Sequence, residues 1–240
     1  RFVLGLCALF LACPHRLKGT TKKQEAMLAA SGLCGICLYY LLENIALTYT
    51  LASNVGVIVA TAPFFTAMLA HFCFREKDVL HANFFVGFII AMLGIGMISF
   101  NGAALHLNPI GDVLALLASL VWACYSNLTR KIGTFGYPTV LITRRIFLYG
   151  TLFMLPTLFF FDCKWDLMQL THPVYLANIL FLGLGASALC FVTWNFAVKL
   201  LGAVKTSVYI YMTPVVTAVT SVLILHETIT PLAGIGIVLI

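Results

Sequence analysis

Leu38-Tyr39-Tyr40-Leu41-Leu42-Glu43-Asn44-Ile45-Ala46-Leu47 decides how this chain is read. The stretch is too apolar for a surface loop, and the run it belongs to, residues 26–49, is far longer than a strand of five or six residues. One carboxylate, Glu43, sits inside it. An ionisable side chain there costs free energy unless it faces a partner, a water-filled cavity or a cargo, so it marks a functional site by default.

Outward from that stretch the composition is of one kind. The chain is 62% hydrophobic and 9% charged, where a soluble domain carries roughly 25% charged residues. Its mean hydropathy is +1.04. Such a surface cannot be kept hydrated, so the chain reads as an all-α, polytopic helical membrane protein embedded in a lipid bilayer. Polar punctuation separates apolar runs at 2–14, 26–49, 54–74, 82–100, 111–128, 139–161, 175–198, 204–225 and 231–240. The first and last are short, and Arg1 is not an initiator methionine, so the sequence is expected to be part of a longer chain.

The net charge of +6 is no nucleic-acid signal, because the positives lie in short clusters between the apolar runs. With the His15–Gln24 loop placed in the cytoplasm, Arg16, Lys18, Lys22, Lys23, Arg75, Lys77, Arg130, Lys131, Arg144, Arg145, Lys199 and Lys205 all fall on that side. Only Arg1 and Lys164 fall opposite, and the positive-inside bias fixes the orientation accordingly. Seven of the eight cysteines, all but Cys163, lie in apolar runs, where cysteine behaves as a small hydrophobe. Cys34-Gly35-Ile36-Cys37 fits C-x-x-C, but Gly32 and Gly35 point instead to close helix packing, and no histidine spacing completes a metal site. No metal and no cofactor are expected. Residues 1–14 are not read as a signal peptide, since eight further apolar runs follow.

An internal repeat orders these runs. At an offset of 151, Asn44, Ala46, Ala52, Val57, Pro63, Thr66, Ala67 and Glu76 fall on Asn195, Ala197, Ala203, Val208, Pro214, Thr217, Ala218 and Glu227. A proline inside the second helix of each pair and a glutamate at its far end carry more weight than apolar coincidences. The leading runs of the two halves cross in opposite directions, so the repeat is inverted, the architecture from which many secondary transporters build alternating access.

The arrangement resembles the EamA-type branch of the drug/metabolite transporter superfamily. The resemblance rests on Asn44 through Asn54, Thr61-Ala62-Pro63 through Arg75-Glu76-Lys77, Trp194-Asn195-Phe196-Ala197, Gly202-Ala203, Pro214 and His226-Glu227, and covers essentially the whole chain. It implies ten helices in two inverted halves of five. Residues 1–100 form the first half without its first helix, and 111–240 the second with its last helix truncated. It also implies a multi-pass carrier of the inner (cytoplasmic) membrane, often an exporter, for a small metabolite such as an amino acid or amine. Within the superfamily the alternative is a nucleotide-sugar or sugar-phosphate antiporter, which calls for basic residues at mid-span; none is found there. A non-transporting receptor or scaffold is the alternative of another class. An intramembrane enzyme needs an acid–base or metal constellation that Glu43 alone does not supply.

Candidate binding residues follow from polarity at depth. Glu43, about 10 Å below the outer end of its helix, serves as a proton-coupling site, a counter-charge for a cationic cargo or a packing partner. Tyr39 and Tyr40, one turn back, supply a phenol donor or a cation–π wall. Asn44 and Asn195, at matched positions, are read as interhelical hydrogen-bond partners, with cargo contact as the alternative. Trp122 and Tyr125 lie too deep to be interfacial anchors and are assigned to a cavity wall, with Trp194 at the position matching Glu43. Pro63 and Pro214 free the carbonyls of Val59 and Ile210 and are read as a helix kink or gate, with Thr61, Thr213, Tyr209 and Tyr211 as lining groups within about a turn. Glu76 and Glu227 cap helix ends, and Arg144 and Arg145 anchor a cytoplasmic end.

Overall fold

The computed structural model describes residues 1–76, 80–99, 108–157, 172–225 and 230–240. Lys77, Cys163, Lys164, His226 and Glu227, together with the assignments made for them, lie outside the described residues. Helix α1 spans Phe2–Ala12, α2 Lys22–Tyr49, α3 Ala52–Val59 and α4 Ala62–Phe72. Helices α5 (Ala82–Ser99), α6 (Pro109–Gly133), α7 (Thr139–Met154) and α8 (Pro173–Leu201) follow. The chain then forms α9 (Ala203–Val208), a 3₁₀ turn at Tyr209–Tyr211, α10 (Met212–Leu225) and α11 (Pro231–Leu239). Among the described residues there is no strand, and six helical stretches are long and apolar enough to cross a bilayer. Large apolar side chains such as Leu11, Leu223, Ile224 and Val238 face outward, which suits hydrocarbon surroundings and would be a liability in water.

Hydropathy misplaces some helix ends, and the reasons are local. Helix α2 begins at Lys22 rather than residue 26, because Thr21 and Gln24 form a capping box: the Thr21 side chain accepts from the Gln24 amide, and the Gln24 side chain accepts from the Thr21 amide. Satisfied amides let a polar first turn stay helical. Helix α6 likewise runs on to Gly133, with Arg130 and Lys131 in its last turn, where cations offset the helix dipole. Pro63 and Pro214 each follow directly on a break within a membrane-length apolar stretch, Ala52–Phe72 and Ala203–Ile224. Pro63 stands in the first turn of α4, after α3 has ended at Val59, where the missing N–H is no loss. Pro214 is the third residue of α10, after the 3₁₀ turn. With the offset of 151 the two halves break alike, since α3 starts at Ala52 and α9 at Ala203, with the new helices starting at Ala62 and Met212. Both leading helices also carry π-helical segments, Leu33–Leu38 in α2 and Phe181–Leu189 in α8.

The chain divides into two compact units, residues 1–38 with 128–202 and residues 39–127 with 203–240. In the first, α2 and α7 cross at glycines: a Cβ on Gly32 would sit 2.6 Å from the Ile146 carbonyl oxygen, and one on Gly150 would sit 2.6 Å from the Ile36 Cβ. Such small residues let helices approach where no hydrophobic force drives them together. The Phe147 ring meets Phe2 and Phe191 edge-on. Arg144, read as an anchor of a cytoplasmic end, is an internal clamp. It is buried and donates to the backbone carbonyls of Cys13 and His15. Arg145 pairs with Glu25 at 3.1 Å, and the same carboxylate accepts from Tyr149 and Thr20. Helix α8 ends at Gly202, whose φ of +89° suits glycine and whose amide closes on the Val198 carbonyl.

In the second unit α5 and α11 cross at Gly94 and Gly236, each of which would place a Cβ within 2.8 Å of the other's carbonyl oxygen. Gly87 and Gly234, on the same two helices, face open space. Asn127 is buried and donates to the carbonyls of Thr66 and Ala123, tying α6 to α4. Thr61 and Ser119 hydroxyls meet at 3.2 Å, bracing the α3–α4 break against α6.

Candidate functional site

The second unit contains a cavity of about 770 Å³, within the range of small-molecule sites. Helix α2 presents Tyr39, Glu43 and Leu47 to it, one face at intervals of four residues. Helix α3 contributes Ser53, Gly56 and Val59, α5 contributes Ile95, Ile98 and Ser99, and α6 contributes Trp122. Helix α10 supplies Thr213, Pro214, Thr217 and Ser221. A Cβ on Gly56 would meet nothing within 4 Å, so this glycine keeps part of the wall clear.

The polar chemistry centres on Glu43. Tyr39 donates its phenol proton to Glu43 Oε1 at 3.0 Å. The Tyr39 ring lies 4.8 Å, centroid to centroid, from the Trp122 ring. A carboxylate oriented by a phenol beside two aromatic faces is an arrangement suited to an organic cation, which gains from both the charge and the ring quadrupoles. Among the described residues that line the cavity there is no Lys, Arg or His, and no group of acidic, His or Cys side chains could hold a metal ion.

Of the residues singled out from sequence, Tyr39, Glu43, Trp122, Thr213 and Pro214 line this cavity. Tyr125 does not: three residues from Trp122 is 300° around a helix, so it points 60° away and is fully buried behind that ring, 5.1 Å from it. Tyr40 and Asn44 lie about 100° from Tyr39 and Glu43 on α2 and face elsewhere. Tyr40 packs edge-on against Tyr39, and Asn44, on the exposed side, donates to the Tyr40 carbonyl at 2.6 Å. Trp194 and Asn195 belong to the first unit, where Asn195 is buried and donates to Thr143 Oγ1 at 2.9 Å. Tyr209 is 66% exposed on the 3₁₀ turn, and Tyr211 and Pro63 are buried in packing. Thr61 donates to the Ile58 carbonyl, while Thr213 does line the cavity. Sequence inspection missed Ser53, Ser99, Thr217 and Ser221. The four-residue spacing of Thr213, Thr217 and Ser221 was the available signal, hidden because lone hydroxyls in apolar helices usually bond their own backbone.

An all-helical, multi-pass membrane protein with a mostly apolar cavity and a few convergent polar groups is the class that fold and site define. The chain belongs to the EamA-like transporter family, whose model matches residues 1–100 and 109–240. Among its relatives, the uncharacterized transporter YvbV of Bacillus subtilis (strain 168) is 26% identical, over 98% of this chain and 76% of that protein. A probable terminal-alkyne amino-acid exporter of Streptantibioticus cattleyicolor is also 26% identical, over 98% of this chain and 77% of its own length. A solved crystal structure superimposes with a TM-score of 0.77 over 99% of this chain and 81% of its own, at 18% identity, a likeness of fold. Family and relatives alike point to transport rather than catalysis.

Proposed function

We propose that this protein is a secondary carrier that moves a small ammonium-bearing metabolite, an amine or amino acid, across the cytoplasmic membrane by alternating access. The observation that carries the reading is the placement of Glu43, held by Tyr39 and walled by Trp122, in a cavity with no lining cation among the described residues. The inverted sequence repeat, with helices that start at the matched positions Ala52 and Ala203, supports two halves that exchange roles. The exporter named among the relatives supports export as the direction. Glu43 is the coupling residue in this reading, taking either a proton or the cargo's ammonium.

Counterflow in proteoliposomes tests it. Vesicles preloaded with an unlabelled amine should accumulate the labelled amine, and Glu43→Gln should abolish both that accumulation and any dependence on a pH gradient. Accumulation by Glu43→Gln at the wild-type rate and with wild-type pH dependence would sink the assignment.

A further inference from the structure

The wall that α10 supplies carries a signal the Glu43 chemistry does not use. Thr213, Thr217 and Ser221 all line the cavity. Four residues apart, their hydroxyls form a row along one helix face, rising about 6 Å per step. Elsewhere on the same helix, Val216, Val219, Leu223 and Ile224 are exposed and apolar, as a lipid-facing surface requires. Thr220, which does not line the cavity, bonds back to the carbonyls of Val216 and Thr217 at 2.8 and 2.9 Å, the ordinary way to satisfy a hydroxyl within a helix. Thr217 satisfies its proton in the same way, on the Thr213 carbonyl at 2.9 Å, but it lines the cavity, where its oxygen lone pairs are available to an incoming donor. Among the described residues the Thr213 and Ser221 hydroxyls make no hydrogen bond.

We propose that this row is a second subsite for the uncharged, hydroxyl-bearing end of the cargo, whose ammonium lies at Glu43, so that the substrate class is a hydroxylated amine rather than an amino acid. The proposal rests on the carrier reading of the cavity and sharpens it. Charge decides against the amino acid: a carboxylate in this cavity meets Glu43, a like charge, and no lining Lys, Arg or His among the described residues. Hydroxyl groups both donate and accept, so a row of them matches a neutral hydroxyl without a charge penalty. The Tyr39 and Trp122 faces, part of the same lining, offer apolar surface to the cargo's stem.

Four six-carbon probes separate the terms: hexylamine, 6-amino-1-hexanol, 6-aminohexanoate and 1,6-hexanediol, titrated calorimetrically into the purified full chain in detergent. The amino alcohol is expected to bind about three- to tenfold more tightly than hexylamine, the gain of roughly one hydrogen bond, and 6-aminohexanoate more weakly than either. Thr217→Val and Ser221→Ala should each reduce the amino alcohol's advantage over hexylamine. Ser221→Ala removes one oxygen and guards against misfolding of the first variant. Equal binding of amino alcohol and hexylamine, an advantage untouched in both variants, or amino-acid binding as tight as the amino alcohol's overturns the proposal. Counterflow run alongside keeps the two readings apart. A hydroxyl preference without exchange defeats the carrier and leaves the subsite standing, whereas exchange without the preference does the reverse.

Discussion

Glu43 accepts a hydrogen bond from a neighbour one turn away, and this makes its local geometry testable. Tyr39 orients the carboxylate through a 3.0 Å hydrogen bond and offers its ring to the same space. Tyr39→Phe keeps the ring and removes the donor. It should weaken binding of an amine about fivefold, the worth of one hydrogen bond near 1 kcal/mol, while the melting midpoint in detergent stays within about a degree of wild type. A large drop in melting instead would recast the pair as a structural tie. Gly56 supports a complementary test, because its missing side chain leaves open space beside the site. Gly56→Leu should abolish amine binding by filling the cavity and leave the fold intact, read by calorimetry and by melting of the same sample.

At the scale of elements, glycine pairs set where helices touch. A Cβ on Gly94 would lie 2.8 Å from the Gly236 carbonyl oxygen, and backbone cannot move aside as a flexible side chain does. Gly94→Leu should therefore force α5 and α11 apart and cost about 1–3 kcal/mol, as overpacking does, lowering the melting midpoint. Gly87→Leu, on the same helix but facing open space, should leave it unchanged. That contrast also shows what the sequence could tell. Span count, the Glu43 anomaly and the pairing of Pro63 with Pro214 follow from hydropathy, residue type and repeat, all of which are written along the chain. Which glycine meets a partner depends on helix rotation and crossing point, and these are settled by residues far apart in sequence. The same gap explains Tyr125 and Asn44. Each was selected for polarity at the right depth, yet each lies 60° to 100° around its helix from the cavity face. The hydroxyl row was visible as a spacing, but its meaning depends on a cavity that only the packed helices create.

For the molecule as a whole, sequence symmetry and division of labour are different things. Asn44 and Asn195 occupy matched repeat positions, yet one bonds its own helix on an exposed face and the other is buried, donating to Thr143 on a neighbouring helix. Glu43 lines a cavity in one compact unit, whereas its counterpart Trp194 belongs to the other unit. The two units should therefore respond to substitution in separable ways. Asn195→Ala removes a buried interhelical hydrogen bond of the kind that contributes about 0.6 kcal/mol on average and up to roughly 1.7. It should lower the melting midpoint by a few degrees and leave amine affinity within about twofold. Glu43→Gln should do the opposite, losing amine affinity by at least about tenfold while melting at the wild-type temperature or above, because a carboxylate no longer has to be kept in an apolar helix. Measuring melting and calorimetric affinity on the same preparations gives each variant two coordinates. If Asn195→Ala loses affinity as steeply as Glu43→Gln, binding is not the property of one unit, and the site must be redrawn to include residues of both.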